Sequence, residues 1–299
     1  MLEGGGVDLH AKFRLVLLTI VLLVLSLPSV LAYKLDLGAR PLGMGGTFVA
    51  VADDINALGW NVAGLAYQKQ GALLVSRENL YGLEIPLDFL TVTIPSKKFG
   101  TLGISLSSMR VDTNLAGYEE SEIRAGWAQN YAIRSYDGLP NWCGLGILIR
   151  GTKVQAFGDR DANGFNLSLE VGYLQQYSSR IQLGMVLKCE DLYSKWEITN
   201  SEQNLPSSAK KAVSIDLGIG IKTGQNGLIA LDLRNLGGLR FVACGYEYKV
   251  SQGVSVRSGL SGSGFSAGVS FKQGAWELDY AFLPNAIGNA NKMNLIYNF

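Results

Sequence analysis

Period-2 alternation between apolar and polar residues constrains this chain more than any other feature. In Val213-Ser-Ile-Asp-Leu-Gly-Ile-Gly-Ile221, Val213, Ile215, Leu217, Ile219 and Ile221 share one parity, while Ser214, Asp216, Gly218 and Gly220 share the other. Successive side chains of an extended strand point to opposite faces, so this segment is apolar on one side and polar or bare on the other. The split recurs in Phe165/Leu167/Leu169/Val171/Tyr173 against Asn166/Ser168/Glu170/Gly172. It recurs in Phe265/Ala267/Val269/Phe271, and in Trp276/Leu278/Tyr280/Phe282 opposite Glu277 and Asp279. Two architectures satisfy the pattern. A sandwich in water buries the apolar faces against each other; a barrel in a membrane turns them to lipid and lines its lumen with the polar faces. Alternation alone does not separate the two.

The ends of the chain do. Met293, Leu295, Tyr297 and Phe299 fall on one parity and Asn294 and Asn298 on the other, with Ile296 the apolar exception. A bare aromatic edge strand in water invites pairing with other chains. A closed barrel removes that edge because its last strand pairs with its first. At the other end, Lys12 and Arg14 precede an apolar run from Leu15 to Leu27, followed by Pro28 and Val30-Leu31-Ala32. A basic flank, a short apolar core and small residues near a cut make a secretory signal peptide. The run is shorter than the roughly 20 residues a spanning helix needs, and no Cys follows Ala32 closely enough for lipid attachment. The expected organisation is therefore a leader at 1–32 cleaved near Ala32, an N-terminal segment at 33–70 and a barrel at 71–299.

Composition bounds the chemistry. Lys and Arg number 26 against 25 Asp and Glu, so the chain has no nucleic-acid footprint. Its single histidine, His10, lies in the leader. The mature chain then has no Ser-His-Asp or Cys-His site and no His-ligated metal, and neither an enzyme nor a cofactor is expected. Cys143, Cys189 and Cys244 are an odd, scattered trio inside strand patterns, which does not suit a disulfide framework.

From Gly71 onward the alternation reads as about 14 strands: 71–78, 83–95, 98–109, 119–134, 141–157, 164–177, 180–190, 211–222, 226–235, 239–249, 252–260, 263–273, 274–283 and 291–299. A single-chain bacterial barrel has an even count. Short connections (Pro95–Lys98, Ser178-Ser179, Thr223–Gly227, Val250–Gln252, Lys272–Gly274) alternate with longer ones at 110–118, 157–163, 191–210 and 284–290. That alternation suits short periplasmic turns and longer extracellular loops. The fold expected is all-β: an antiparallel transmembrane β-barrel of about 14 strands, with a short N-terminal plug containing small helices.

The segment before the barrel has its own character. Small residues dominate Leu37–Leu65, and glycine permits close approach to a wall. Asp53-Asp54 suit the cap of a short helix running through Trp60. Gly38-Ala-Arg40-Pro-Leu-Gly43-Met-Gly45-Gly46, then Ala52-Asp53-Asp54, then Trp60-Asn61 with Ala63-Gly64-Leu65, resemble the N-terminal signature of the FadL/PorV superfamily. The match covers about 30 residues, the remainder agreeing in pattern only. One departure is Asn61-Val62-Ala63, where the family usually has Asn-Pro-Ala. The resemblance implies a 14-stranded outer-membrane barrel whose N-terminus plugs the lumen, and the chain's length suits a small member, PorV/PorQ-like or UPF0164-like. It leaves two functions open. One is passive transport of a hydrophobic molecule; the other is a partner role in secretion or surface attachment of other proteins, without transport. The Met293/Leu295/Tyr297/Phe299 ending is also similar to the signal read by barrel-assembly machinery, which makes that machinery and outer-membrane lipid the expected partners.

Other constellations have simpler readings. Asp159, Asp161, Asn163, Gly164 and Glu170 match the calcium-loop spacing, but strand patterns flank them where helices belong. A polar turn made by Asp, Asn and Gly explains them, with weak Ca²⁺ binding the alternative. Gly43-Met-Gly-Gly46 lacks both the preceding buried strand and the following Gly-Lys-Ser/Thr of a phosphate loop. Inward charges at Arg150, Glu170, Lys188, Glu190, Asp216, Asp232, Arg234, Arg257 and Lys272 read as salt-bridge ladders sooner than as an ion path. Aromatics near strand ends, among them Tyr81, Trp127, Tyr136, Trp142, Tyr173, Tyr246, Tyr248 and Trp276, suit interfacial girdles.

Overall fold

The computed structural model describes residues 38–80, 85–113, 116–134, 140–158, 161–198, 212–237, 241–262, 264–284 and 288–299. The leader, its expected cleavage site, Tyr81, Tyr136 and Asp159 lie outside them. Fourteen strands follow one another: β1 (Ala72–Leu80), β2 (Ile85–Ser96), β3 (Gly100–Asp112), β4 (Gly117–Arg134), β5 (Pro140–Phe157), β6 (Ala162–Gln176) and β7 (Ile181–Ile198). Then come β8 (Ala212–Thr223), β9 (Gly227–Leu236), β10 (Phe241–Lys249), β11 (Val254–Ser261), β12 (Gly264–Gln273), β13 (Trp276–Leu283) and β14 (Ala290–Asn298). Each pairs antiparallel with its sequence neighbours, and β14 returns to β1 to close the barrel. The closing ladder runs from Ala72↔Asn298 to Asn79↔Asn291. Closure matters because an unpaired strand edge in hydrocarbon costs several kcal/mol per bare backbone group. Among the described residues no helix is long and apolar enough to cross a membrane.

The alternation sorts as the sequence implies. Val75, Ile104, Ile123, Ile149, Leu217, Phe271 and Leu295 are exposed on the outside of the barrel. Ser105, Arg124, Arg150, Asp216, Ser270 and Asn294, on the opposite parity, are buried inside. Aromatics mark both margins. Tyr131, Trp142, Tyr246, Trp276, Tyr297 and Phe299 lie at the proximal end, where β1 begins, and Phe157, Phe165, Tyr193 and Phe265 at the distal end.

The structure corrects two details. The connections read as long at 110–118 and 157–163 shrink to 113–116 and 158–161, because the strands on either side continue pairing, as in Asp112↔Gly117. β7 also runs on to Ile198, well past 190, so Asp191–Ile198 is strand and only 199–211 connects to β8. A bulge allows it: Leu169 faces Cys189 but Leu167 faces Tyr193, and Asp191 takes a φ of 53° in the intervening stretch. Alternation breaks at a bulge, which is why the strand seems to stop there.

The core of the molecule is the inside of the barrel. Residues 38–68 fill it as helix α1 (Ala39–Gly43), a coil, helix α2 (Ala57–Trp60) and a 3₁₀ turn (Val62–Tyr67). Met44, Phe48, Val51, Leu58, Trp60, Val62 and Leu65 form one apolar cluster with wall residues Ala128, Leu148, Ala230 and Ala281. Helix α2 starts three residues later than the Asp53-Asp54 cap implied. Asn56 stands at its N-cap without a side-chain bond; Asp53 turns to Arg40, while Asp54 shares itself between Arg40 and the backbone amide of Asn56, at 2.8 Å each, and so caps the turn that leads into the helix.

Candidate functional site: a lumen closed by its own N-terminal segment

What lets the segment fit is a belt of glycines on the inner face. Gly103 and Gly126 sit opposite one another on β3 and β4. So do Gly146 and Gly172 on β5 and β6, Gly184 and Gly218 on β7 and β8, and Gly245 and Gly259 on β10 and β11. Ala230 on β9 bridges Gly220 to Gly245, and Gly268 faces Ala281 across β12 and β13. A Cβ at these glycines would strike the segment: Leu58 from Gly126, Val62 and Ala63 from Gly146, Ala50 from Gly218, Gly43 from Gly268. At Gly146, Gly218 and Gly268 the wall touches backbone directly, and at Gly126 it meets the side chains of Leu58 and Val62. Gly45 complements it from within, its φ of 70° placing its backbone against Gly259 and Leu260. An L side chain at that φ is disfavoured.

Specific bonds then fix the segment. Arg40 donates through Nε and Nη2 to both oxygens of Glu247 on β10, at 2.8 and 3.0 Å. Its Nη1 reaches Asp53 at 2.5 Å and Asp54 at 2.8 Å. Arg257 on β11 shares Glu247 at 2.6 Å and contacts Ser270 and Asp279. The fork geometry of guanidinium against carboxylate makes this a directional joint. Burial works against the charge on Arg40, but Asp53, Glu247 and Asp54 outweigh it and hold its pKa above the ordinary value. Asp232 on β9 accepts from the backbone amides of Phe48 and Val49 at 2.8 and 3.0 Å. Asn61 donates to the carbonyls of Val49 and of Tyr173 on β6 at 2.7 and 3.0 Å, while its own oxygen accepts from Ala63 N. Val62, in the first position of the 3₁₀ turn, occupies a place where proline is tolerated but not required. The Tyr67 hydroxyl lies 3.1 and 3.0 Å from the Trp142 and Leu174 carbonyls and shares its one hydrogen between them; burial, with a smaller push from Cys143, raises its pKa to about 12 and keeps it a donor.

All the signature residues therefore lie in the lumen, each with a contact. Gly38 abuts Asn56, and Gly43 and Gly45 abut β12 and β11. Gly46 lies under Trp60 and Arg234, and Gly64 lies on Ala52. Trp60 carries Arg234 over its ring at 4.9 Å. Their partners on the wall, Glu247, Asp232 and Arg257, were not paired with them in the sequence. Only the polar-parity glycines, Gly172, Gly218 and Gly220, hinted at the belt.

Distal to the belt, β4–β8 carry a ladder of opposite charges. Arg124 meets Glu122 at 2.5 Å, Arg150 lies among Glu122, Glu170 and Glu190, and Lys188 pairs with Asp216. Lys272 is the exception, half-exposed near the proximal rim with Glu277. Glu170 in this ladder lies far down the strand from Asp161, whose carboxylate accepts from Gly158 N, and from Asn163, which accepts from Gln155. Glu170 therefore does not join Asp161 and Asn163, Asp159 lies outside the described residues, and among the described residues no group of three ligating side chains comes together. The Met293/Leu295/Tyr297/Phe299 face looks outward, with Phe299 N donating to Gly71 O at 2.8 Å.

No family model and no curated protein sequence matches the chain. Solved structures share its fold. A deltaS2 mutant of the monoaromatic hydrocarbon channel TodX aligns with TM-score 0.64 and 11% identity, covering 89% of this chain and all of that one. The toluene transporter TbuX of Ralstonia pickettii aligns at 0.56 and 12%, covering 88% and 97%. A FadL homologue of Pseudomonas aeruginosa aligns at 0.54 and 10%, covering 88% and 98%. The similarity is one of architecture: a closed 14-strand antiparallel barrel of the FadL kind, with short helices near its N-terminus.

Proposed function

We propose that this chain sits in the bacterial outer membrane as a passive transporter of small hydrophobic molecules, with residues 33–70 as the plug that shapes and limits the path. Barrel-assembly machinery inserts it by reading the Met293/Leu295/Tyr297/Phe299 strand. The observation that carries the reading is the whole-chain likeness to toluene and hydrocarbon channels, joined to a lumen filled by a segment held through a few bonds and glycine contacts. The test is uptake of labelled toluene by cells with an intact lipopolysaccharide leaflet. Cells carrying the protein should take it up several-fold faster at low concentration than cells without it; equal rates would contradict transport.

A second reading has an observation of its own. The barrel wall is unbroken in its pairing, and the described residues pack the lumen densely. That suits a PorV-like partner protein, which docks a secretion or surface protein and passes nothing. Under that reading, a pull-down from native outer membranes recovers a stable complex while toluene uptake stays unchanged.

A further inference from the structure

The proximal end of the barrel carries two features that neither the closed wall nor the plug uses. The first is a strand edge. β4 and β5 stay paired as far as Arg134↔Pro140, but the ladder between β3 and β4 stops at Thr101↔Ala128. From Gln129 to Arg134, β4 therefore has β5 on one side and, among the described residues, no strand on the other. That stretch is about 20 Å of backbone at the usual strand rise. Its sequence, Gln-Asn-Tyr-Ala-Ile-Arg, has no proline and no charge before its last residue, and its register with β5 has no bulge. It lacks the devices by which edge strands avoid pairing. A bare edge is too costly in hydrocarbon, so this one stands in water.

The second feature is charge. Lys97 and Lys98 between β2 and β3, Arg180 between β6 and β7, Lys222 at the end of β8 and Lys249 at the end of β10 are all exposed. Among the described residues none of them meets a carboxylate; at the remaining described turn Lys272 pairs with Glu277. The distal end differs. Arg77, Arg110 and Lys195 are exposed there too, but each lies against an acid, Asp88, Asp112 and Glu197 respectively. Edge and charge meet at the β2–β3 turn. Phe99 O accepts from Trp127 Nε1 at 2.6 Å, and a Cβ at Gly100 would strike Ala128 and Gln129. Lys97 and Lys98 thus stand beside the start of the free edge.

We infer that the proximal end is a docking surface for a soluble protein, one that offers an extended acidic segment taken up as an added strand along Gln129–Arg134. Backbone pairing supplies affinity and the cations select the sequence. Charge and parity decide against other occupants. A second copy pairing edge to edge, antiparallel, would bring its Arg134 against Lys97 and Lys98. Anionic phospholipid would need cations on the outward face. Lys222 and Lys249 instead share the inward parity of Gly220 and Glu247, and the outward positions beside Lys249 are the aromatic Tyr246 and Tyr248. The inference rests on the outer-membrane placement proposed above, which puts this end in the periplasm, and on neither of the two functions.

The probe is a fluorescein-labelled peptide of alternating Val and Glu, titrated with the purified full chain in detergent and followed by anisotropy. It should bind, whereas a Val/Lys peptide, and a Val/Glu peptide N-methylated at every residue, should not. Lys97→Glu combined with Lys98→Glu should weaken binding about tenfold at low ionic strength and much less in high salt. Both residues lie in a turn outside the closed ladder, so the variant should still give a folded, heat-modifiable barrel. No binding of the Val/Glu peptide, or equal binding of its N-methylated form, overturns strand addition; unchanged binding by the double variant overturns its location. Placement is tested apart from binding. Lys97→Cys should react with a membrane-impermeant maleimide, above the background of the native cysteines, only once the outer membrane is opened. Labelling in intact cells would overturn the periplasmic partner together with the placement, whatever the peptide does.

Discussion

Arg40 shows how one side chain can join a plug to its wall. It reaches Glu247, 207 positions away in the chain, and Asp53 and Asp54 on its own segment. Replacing it with Met keeps much of the volume but leaves two plug carboxylates without their cation. Breaking a buried pair by removing one partner costs about 3–5 kcal/mol; Glu247 keeps Arg257, which favours the lower end. In Arg40→Met the segment 38–68 should become sensitive to protease within a barrel that still resists heat and detergent. An equally resistant segment would mean the joint contributes nothing. The pH dependence follows from signs. Arg40 has a raised pKa, so its contribution is complete below the ordinary guanidinium value and fades only above it. Tyr67, raised to about 12, likewise holds its neutral form as pH rises through the ordinary tyrosine value near 10. Protease resistance of the segment should therefore stay level from neutral pH to about 10, as far as these two groups control it. Arg40 stood out in the sequence within its small-residue motif. Glu247 did not, because nothing in a strand's alternation says which inward charge will face which turn of a plug.

Among the elements, strands were legible to the degree that their pairing is regular. β8 reads directly because Val213–Ile221 keeps one parity throughout, the extra residue in its pairing with β9 falling on the β9 side, where Asn235 takes a φ of 58°. β7 is under-read because the bulge at Asp191 resets the parity partway along. The glycine belt was half-legible: Gly218 and Gly220 interrupt the polar parity of β8, but period alone does not distinguish an empty lumen position from one occupied by another backbone. Substitution separates these cases. Gly259→Val drives a branched side chain into Gly45 and Met44 and should cost about 1–3 kcal/mol or more by overpacking. Gly151→Ala, whose nearest neighbour atom lies at 3.4 Å, should be nearly silent. Urea unfolding midpoints of the two variants check this; a Gly259→Val protein as stable as the parent would show that the plug is not pressed on β11.

At the scale of the whole molecule, the pieces make one arrangement: a closed antiparallel wall with an apolar exterior, and an N-terminal segment that occupies its interior. The wall needs no help from the segment to satisfy its backbone, since every strand pairs on both sides in the closed ladder. The segment, by contrast, depends on the wall for its buried bonds. The overall form was readable in the sequence because the outside and the inside of a barrel take opposite chemistry on alternate residues. How tightly the lumen is filled was not, since it depends on contacts between residues far apart in the chain. The most direct measurement is conductance in a planar bilayer of the intact protein beside a variant lacking residues 38–65 with the leader kept. The intact protein should be nearly silent and the truncated one should form steady ion-conducting channels. A wide, open pore from the intact protein would contradict the closed lumen on which the account rests.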